Sequence, residues 1–259
     1  MSHPPIIEVR DLGFAYPCGA EALRGVSFQI APGEAVGLIG CNGAGKSTLL
    51  LHLNGCLAPT RGEVRIGDER VTRQTVAAAR KAVGLVFQDP DDQLFMPTVF
   101  EDVAFGPLNQ GLSDDAAGMR VTAALERVGM AHLHARPPHK LSAGEKRAVA
   151  IATVLAMDPD ILVMDEPSSN LDPRARRRLI RWLQGFAHTR IIATHDLELV
   201  VEVCTRVLVM DAGRIVAEGP TDDVLNDETL MLAHGLERPH SLHHHHPHEN
   251  VSPTGSRRL

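Results

Sequence analysis

Apolar and polar residues alternate over the first 70 residues in short segments bounded by turn formers: "IIEVRDLGFAY", "VSFQI", "EAVGLIG" and, after a short helix, "GEVRIGDERV". Such segments predict strands. Residues 113–157 carry mainly helical spacing. From Pro159 onward apolar runs and helices take turns: "DILVMDE", a helix from Pro173 to about Phe186, "RIIATH", a helix from Asp196, "RVLVMD" and "GRIVAEG". The unbroken run Ile161 to Met164 suits a strand buried on both faces of a parallel sheet. The pattern predicts an α/β fold, a wound parallel sheet interrupted by a helical insert. Beyond Arg238 only Leu242, Val251 and Leu259 are apolar, too little to offset the entropy of ordering, so residues 237–259 are expected to form a flexible tail.

A chain of 259 residues with 44% hydrophobic content can fill a core without staples. No run approaches the roughly 18 apolar residues of a membrane span, and "MSHPPIIEVR" lacks the pattern of a signal peptide. Cys18, Cys41, Cys56 and Cys204 are far apart with no CxxC pair, so neither a disulfide framework nor a thiolate zinc site is expected. The net charge of -6 argues against a nucleic-acid partner. The basic cluster "RARRRLIR", residues 174–181, reads as the solvated face of a helix.

The strand "AVGLIG" runs into "GCNGAGKST" and then into the helical "LLLHLNG", which matches GxxxxGK[ST] in its strand, loop and helix context. Gly40, Gly43 and Gly45 let the backbone turn its N–H groups toward phosphates, with Cys41, Asn42 and Ala44 as the intervening loop residues. Lys46 opens the helix and suits the β and γ phosphates, Ser47 suits Mg²⁺, and Thr48 follows at the positive helix end. "ILVMDE" then places Asp165 and Glu166 at the exposed end of a buried strand. Asp165 suits Mg²⁺ and Glu166 can polarise a water for attack on the γ phosphate.

Lys46 and Asp165 are 119 residues apart, and between them lie Gln88, after the strand "VGLVF", and "LSAGEKRAVAIATVLAMDP" from Leu141. These pieces resemble the ATP-binding-cassette family over residues 6 to about 235. A kinase or GTPase has no use for the second peptide. The resemblance implies a P-loop NTPase, RecA-like core with an N-terminal antiparallel β subdomain and an α-helical subdomain inserted at about 89–157, together forming an ABC ATPase domain over 6–236. It also implies ATP and Mg²⁺ as ligands. Leu141, Ser142, Ala143, Gly144 and Glu145 resemble the signature peptide, which in this family closes over the γ phosphate held by the other subunit of a dimer. Read from the residues alone, Ser142 and Glu145 form an S-x-x-E capping box, while a helix start with a hydroxyl and a Gly144 amide is also an anion site. Ala143 and Glu145 replace a glycine and a glutamine of the usual LSGGQ; the methyl at 143 fits if that residue is helical and hinders if it needs positive φ.

Position by position, Tyr16 resembles the aromatic that stacks on adenine, and otherwise reads as a strand tyrosine on a wet face. Gln88 resembles the residue that senses Mg²⁺, "SNLD" (Ser169 to Asp172) the loop that meets the opposite subunit, and His195, 29 residues beyond Glu166, the switch histidine. "FQDPDDQLFMPTVFEDVAFGPLN" holds Phe87, Phe95, Phe100 and Phe105, four of the seven Phe, among three prolines. Some of these must be ordinary core. The segment also resembles the ATPases of energy-coupling-factor importers, especially the cobalt and nickel group, in which a membrane partner's helix docks beside Gln88. The resemblance implies a second copy or a paralogous ATPase, a transmembrane coupling protein, a membrane-embedded substrate-capture component, and a peripheral place on the cytoplasmic face of the membrane. The alternatives are an energy-coupling-factor or other ABC importer ATPase for a different substrate, and a soluble cassette ATPase acting on a macromolecular complex. In the tail, "HSLHHHHPHE" contributes His240, His243, His244, His245, His246 and His248. Its run of four is interrupted by other residues, unlike the usual run of six in a purification tag, and its imidazoles suit weak binding of Co²⁺ or Ni²⁺ outside the ATP machinery.

Overall fold

β1 (Ile7–Ala15) pairs antiparallel with β2 (Glu21–Ile30), Ile7 opposite Ile30 and Phe14 opposite Leu23. The computed structural model describes residues 6–244. β3 (Ala35–Ile39) is buried throughout and leads by the glycine loop into α1 (Lys46–Leu53). β4 (Arg61–Ile66) returns to β1 and carries the short β5 (Glu69–Arg70), which completes an antiparallel sheet of order β2-β1-β4-β5. α2 (Val76–Ala82) precedes β6 (Val83–Val86). Three helices follow: α3 (Val99–Asn109), α4 (Asp114–Arg127) and α5 (Ala143–Leu155). The chain then runs through β7 (Ile161–Asp165), α6 (Pro173–Gln184), β8 (Thr189–Ala193), α7 (Leu197–Val203), β9 (Arg206–Asp211) and β10 (Arg214–Pro220). Two short helices, α8 (Thr221–Asn226) and α9 (Glu228–Ala233), and a 3₁₀ turn at His240–His244 close the described chain.

The second sheet has the order β10-β9-β3-β8-β7-β6, parallel except for the antiparallel edge strand β10. Side chains alternate across it. Val36, Leu38, Ile161, Val163, Ile191 and Leu208 face the core shared with α1 and the antiparallel sheet. Ile39, Leu162, Met164, Ile192 and Val209 face the core shared with α3 to α7. A strand buried on both faces reads as a continuous apolar run, and this is why "ILVM" carries no polar residue.

Three differences from the sequence reading have local causes. α3 lies inside the Phe-rich segment, where three prolines mask it; Thr98 caps it by accepting from Glu101 N, and Pro107, in its last turn, supplies no N–H to the helix. α2, α8 and α9, of 6 or 7 residues each, are too short to show a helical period. Residues 237–242, expected as part of a flexible tail, are packed against the domain. Leu242 and Pro239 are buried, Arg238 donates to Leu242 O at 2.7 Å, and Ser241 N donates to Glu198 Oε1 at 3.2 Å. Polar bonds and one apolar side chain fasten this strap, a pattern that bulk composition does not reveal.

Gly84 on β6 lets α5 lie against the sheet: a Cβ there would stand 2.3 Å from Val154 Cγ1 and 2.9 Å from Pro159 Cγ. Gly84→Val is expected to destabilise the fold by about 1–3 kcal/mol, read as a lower urea midpoint with an unchanged m-value.

Candidate functional site

The loop between β3 and α1 has Gly40, Gly43 and Gly45 at φ of 155°, 83° and 103°. At Gly40 a Cβ would lie 2.1 Å from Met210 O, and at Gly45 it would lie 2.6 Å from Ala22 O, so backbone on both sides excludes a side chain. Gly45 is the N-cap of α1, no side chain caps that end, and no acid occupies the first turn. The first N–H groups of α1 and the positive end of its dipole are therefore left for an anion. Lys46 is buried and its Nζ donates to Gly40 O at 2.6 Å and Cys41 O at 3.2 Å, which braces the loop from within. The Cys41 thiol points outward and donates to His234 O and Gly235 O, each at 3.3 Å. Tyr16 OH lies 2.9 Å from Thr48 Oγ1, and its ring meets Phe14 edge-on at 5.0 Å.

Asp165 ends β7 at the same edge. Burial pushes its carboxyl above the usual range; the hydrogen bond from Ser47 opposes this, the charge of Glu166 reinforces it, and Lys46 and Arg147 pull it down. Its Oδ1 is buried without a hydrogen-bond partner among the described residues. An orphaned carboxylate oxygen beside a serine hydroxyl fits a divalent cation, which would complete its coordination. Glu166 is also buried and takes a left-handed backbone at φ 45°. Its N–H donates to Ala193 O at 2.8 Å, tying it to β8. Its Oε2 accepts from Thr194 Oγ1 at 2.9 Å and from His195 N at 3.3 Å, and His195 Nδ1 lies 2.9 Å away. Thr194, fully buried, escaped the sequence reading although "ATHD" sets it between strand end and histidine.

A cleft of about 590 Å³ brings together Tyr16, Asn42, Gly43, Gly45, Lys46, Ser47, Thr48, Gln88, Asp165, Glu166 and His195. An adjoining cleft shares Ser47, Gln88 and Asp165 and adds Ser169 and Asn170. Gly40, Cys41 and Ala44 form the back of the loop and do not line either. Leu141 to Glu145 do not line them either, and Gly144 opens onto a separate cleft beside α6. Ser142 caps α5 in a full capping box: Ser142 N and Oγ each donate to Glu145 Oε2 at 2.8 Å, and Glu145 N donates back to Ser142 Oγ at 3.4 Å. Those bonds from Ser142 hold the Glu145 carboxyl below its usual range. Ala143 is the first helical residue, so its methyl meets no positive-φ penalty.

Residues 23–169 match the ABC transporter family. The chain is 61% identical to a protein of Geobacter sulfurreducens named as an ABC transporter ATP-binding protein, over 93% of this chain and 97% of that one. It is 48% identical to the energy-coupling factor transporter ATP-binding protein EcfA of Methanothermobacter thermautotrophicus, over 90% of this chain and 77% of that one. Among solved structures it is similar to cbiO1 of Clostridium perfringens, part of the ABC transporter complex cbiONQ, with a TM-score of 0.78, 38% identity, and 89% and 94% of the two chains covered. A dimeric ATP-binding cassette in a post-hydrolysis state bound to ADP and Pi superposes with a TM-score of 0.75 at 26% identity, covering 83% and 98%. With the phosphate-binding loop, the acid pair and these relatives in agreement, the chain belongs to the ABC transporter family and is an ATPase of the P-loop NTPase fold.

Proposed function

We propose that this chain is the energy-coupling ATPase of a membrane importer for a divalent transition metal, cobalt or nickel. The observation that carries the reading is the convergence of the glycine loop, Asp165, Glu166 and His195 on one cleft that lacks its own signature peptide, beside an apolar groove open to a partner. Residues 6–236 act as the ATPase domain, with the helical subdomain at about 89–157 as its moving part.

In this reading ATP lies with its adenine on Tyr16 and its phosphates along the backbone from Asn42 to Thr48. Ser47, Asp165 and Gln88 would hold Mg²⁺, which when bound would supply positive charge beside the phosphates. Glu166 takes a proton from the attacking water while Thr194 and His195 hold its carboxylate in place. His195, whose side chain is 66% exposed, keeps its second ring nitrogen for the γ phosphate while Nδ1 stays on Glu166. The signature residues Leu141 to Glu145 complete the site of a second subunit, as the dimeric relative supports. Closing that interface requires Ser142 Oγ to leave Glu145 for phosphate.

Coupling runs through a groove of about 630 Å³ lined by Leu85, Phe87, Phe95, Phe105 and Met157. Phe95 and Phe105 are 62% and 42% exposed and meet edge-on at 5.1 Å. Exposed aromatics beside a concave apolar wall suit the docked helix of a transmembrane partner. Among the described residues no helix is long and apolar enough to cross a membrane, and in this reading the chain attaches peripherally, at the cytoplasmic face, through the docked partner. The energy-coupling role is supported by likeness to EcfA and cbiO1, and the metal cargo by the His-rich stretch. The side chains of His243 and His244, and the residues His245, His246 and His248, lie outside the described residues.

Glu166→Gln is expected to keep ATP binding and lower kcat by about 10²–10⁴-fold, trapping a closed dimer on size exclusion with ATP; hydrolysis at the wild-type rate would remove Glu166 from this role. Phe95→Ser with Phe105→Ser should leave hydrolysis by the isolated chain intact and abolish co-purification with co-expressed integral subunits. A soluble ATPase of a macromolecular complex would show no such membrane association even in the wild type. Because the strap to Leu242 is packed, a chain ending at His244 should keep its thermal midpoint and ATPase activity. It should retain less Co²⁺ and Ni²⁺ in equilibrium dialysis, while uptake of either metal by cells carrying the membrane subunits tests the cargo directly.

A further inference from the structure

The loop that carries Gln88 is fastened to the signature helix by buried hydrogen bonds. Arg147, on α5 two residues beyond Glu145, is 3% exposed. Its Nη1 donates to Phe87 O at 2.7 Å and its Nη2 to Gln88 O at 2.6 Å. Phe87 N donates to Gln93 Oε1 at 3.0 Å, and Gln93 Nε2 donates in turn to Ala150 O at 2.8 Å and Thr153 Oγ1 at 2.7 Å on α5. At the rim Lys146 pairs with Asp91 at 2.6 Å. Phe87 N, Phe87 O and Gln88 O are thus all bonded to α5, directly or through Gln93.

A buried cation is an expensive way to join a helix to a loop. Arg147 Nε has no partner among the described residues, and burial pulls the guanidinium below its usual range against the charges of Asp89, Asp165 and Glu166. An apolar side chain would fill the space at less cost, but it would not orient two successive carbonyls. A planar fork of donors does so, because both bonds fix one plane. With its carbonyl turned to α5, Gln88 is exposed and its side chain lines the cleft with Ser47 and Asp165.

We propose that Arg147 is a positioning residue for Gln88: its two Nη groups hold the Phe87 and Gln88 carbonyls so that the orientation of α5 sets how far the Gln88 side chain reaches toward the metal position at Ser47 and Asp165. The proposal rests on the reading of Gln88 as a metal-binding residue. It makes one side chain a direct mechanical tie by which a movement of the signature helix alters metal affinity in the same chain, beside the bonds through Gln93 and Lys146. Arg147 itself lines neither of the two clefts at the phosphate loop.

The test titrates Mn²⁺ into the full chain with a non-hydrolysable ATP analogue and follows free Mn²⁺ by electron paramagnetic resonance. Gln88→Ala and Arg147→Met are each expected to weaken Mn²⁺ retention by about tenfold, with metal-free nucleotide affinity within about twofold of wild type and no further loss in the double variant. Arg147→Lys keeps the charge without the fork and should give an intermediate loss; it also serves if Arg147→Met fails to fold, as judged by thermal melting. Wild-type Mn²⁺ retention in Arg147→Lys or Arg147→Met while Gln88→Ala loses it would overturn the proposal and leave the reading of Gln88 standing. Losses that multiply in the double variant would overturn it too, by placing the action of Arg147 elsewhere. Wild-type retention in Gln88→Ala would instead sink the metal role of Gln88, and the tie with it.

Discussion

An anion held by backbone N–H groups needs a turn of chain that nothing obstructs, and this molecule packs two sheets around such a turn. Met210 O on β9 and Ala22 O on β2 come so close to Gly40 and Gly45 that no other residue fits. Gly213 N bonds Ala44 O at 3.0 Å and Arg24 N bonds Gly213 O at 2.8 Å, so the antiparallel sheet, the edge of the parallel sheet and the loop form one hydrogen-bonded body. Buttressed on both sides, the loop keeps its donors aimed without help from a ligand. The strand order then brings the ends of β7 and β8, with Asp165, Glu166 and His195, to the same edge.

Chemistry written in short spacings was legible, because local geometry dictates those spacings. A strand that turns through glycines into a helix must present Lys46 and Ser47 at fixed offsets, and an acid pair after a buried run must emerge at a sheet edge. The parallel sheet itself was legible for the same reason, from unbroken apolar runs. What remained hidden acts across the chain. Thr194 reaches Glu166 from 28 residues away and Arg147 reaches Phe87 from 60, separations that no local spacing encodes. α3 was masked by the prolines that flank it, and Leu242 by the polar company it keeps.

The peptide that departs most from its family's usual wording turns out to be locally self-consistent. Ala143 sits where a methyl favours the helix, and Glu145 satisfies both N–H and hydroxyl of Ser142. In the single chain these groups are spent on ending a helix well, and the cleft of the same chain has no signature residue in its lining. In the proposed dimer, half of each reaction chamber is thus built and stabilised before a second subunit arrives, and the other half comes from that subunit.

Glu166 sits at a left-handed φ of 45°, a conformation that costs a residue with a Cβ about 1–2 kcal/mol and glycine almost nothing. Its carboxylate is buried as well. On stability alone, glycine or asparagine would be the better occupant of this position. The residue proposed to take the proton from water is therefore kept against the preference of its own backbone, and in that role random substitution here would trade turnover for robustness. A search for hardier variants of this enzyme would be drawn to position 166 and would return proteins that fold better and do nothing.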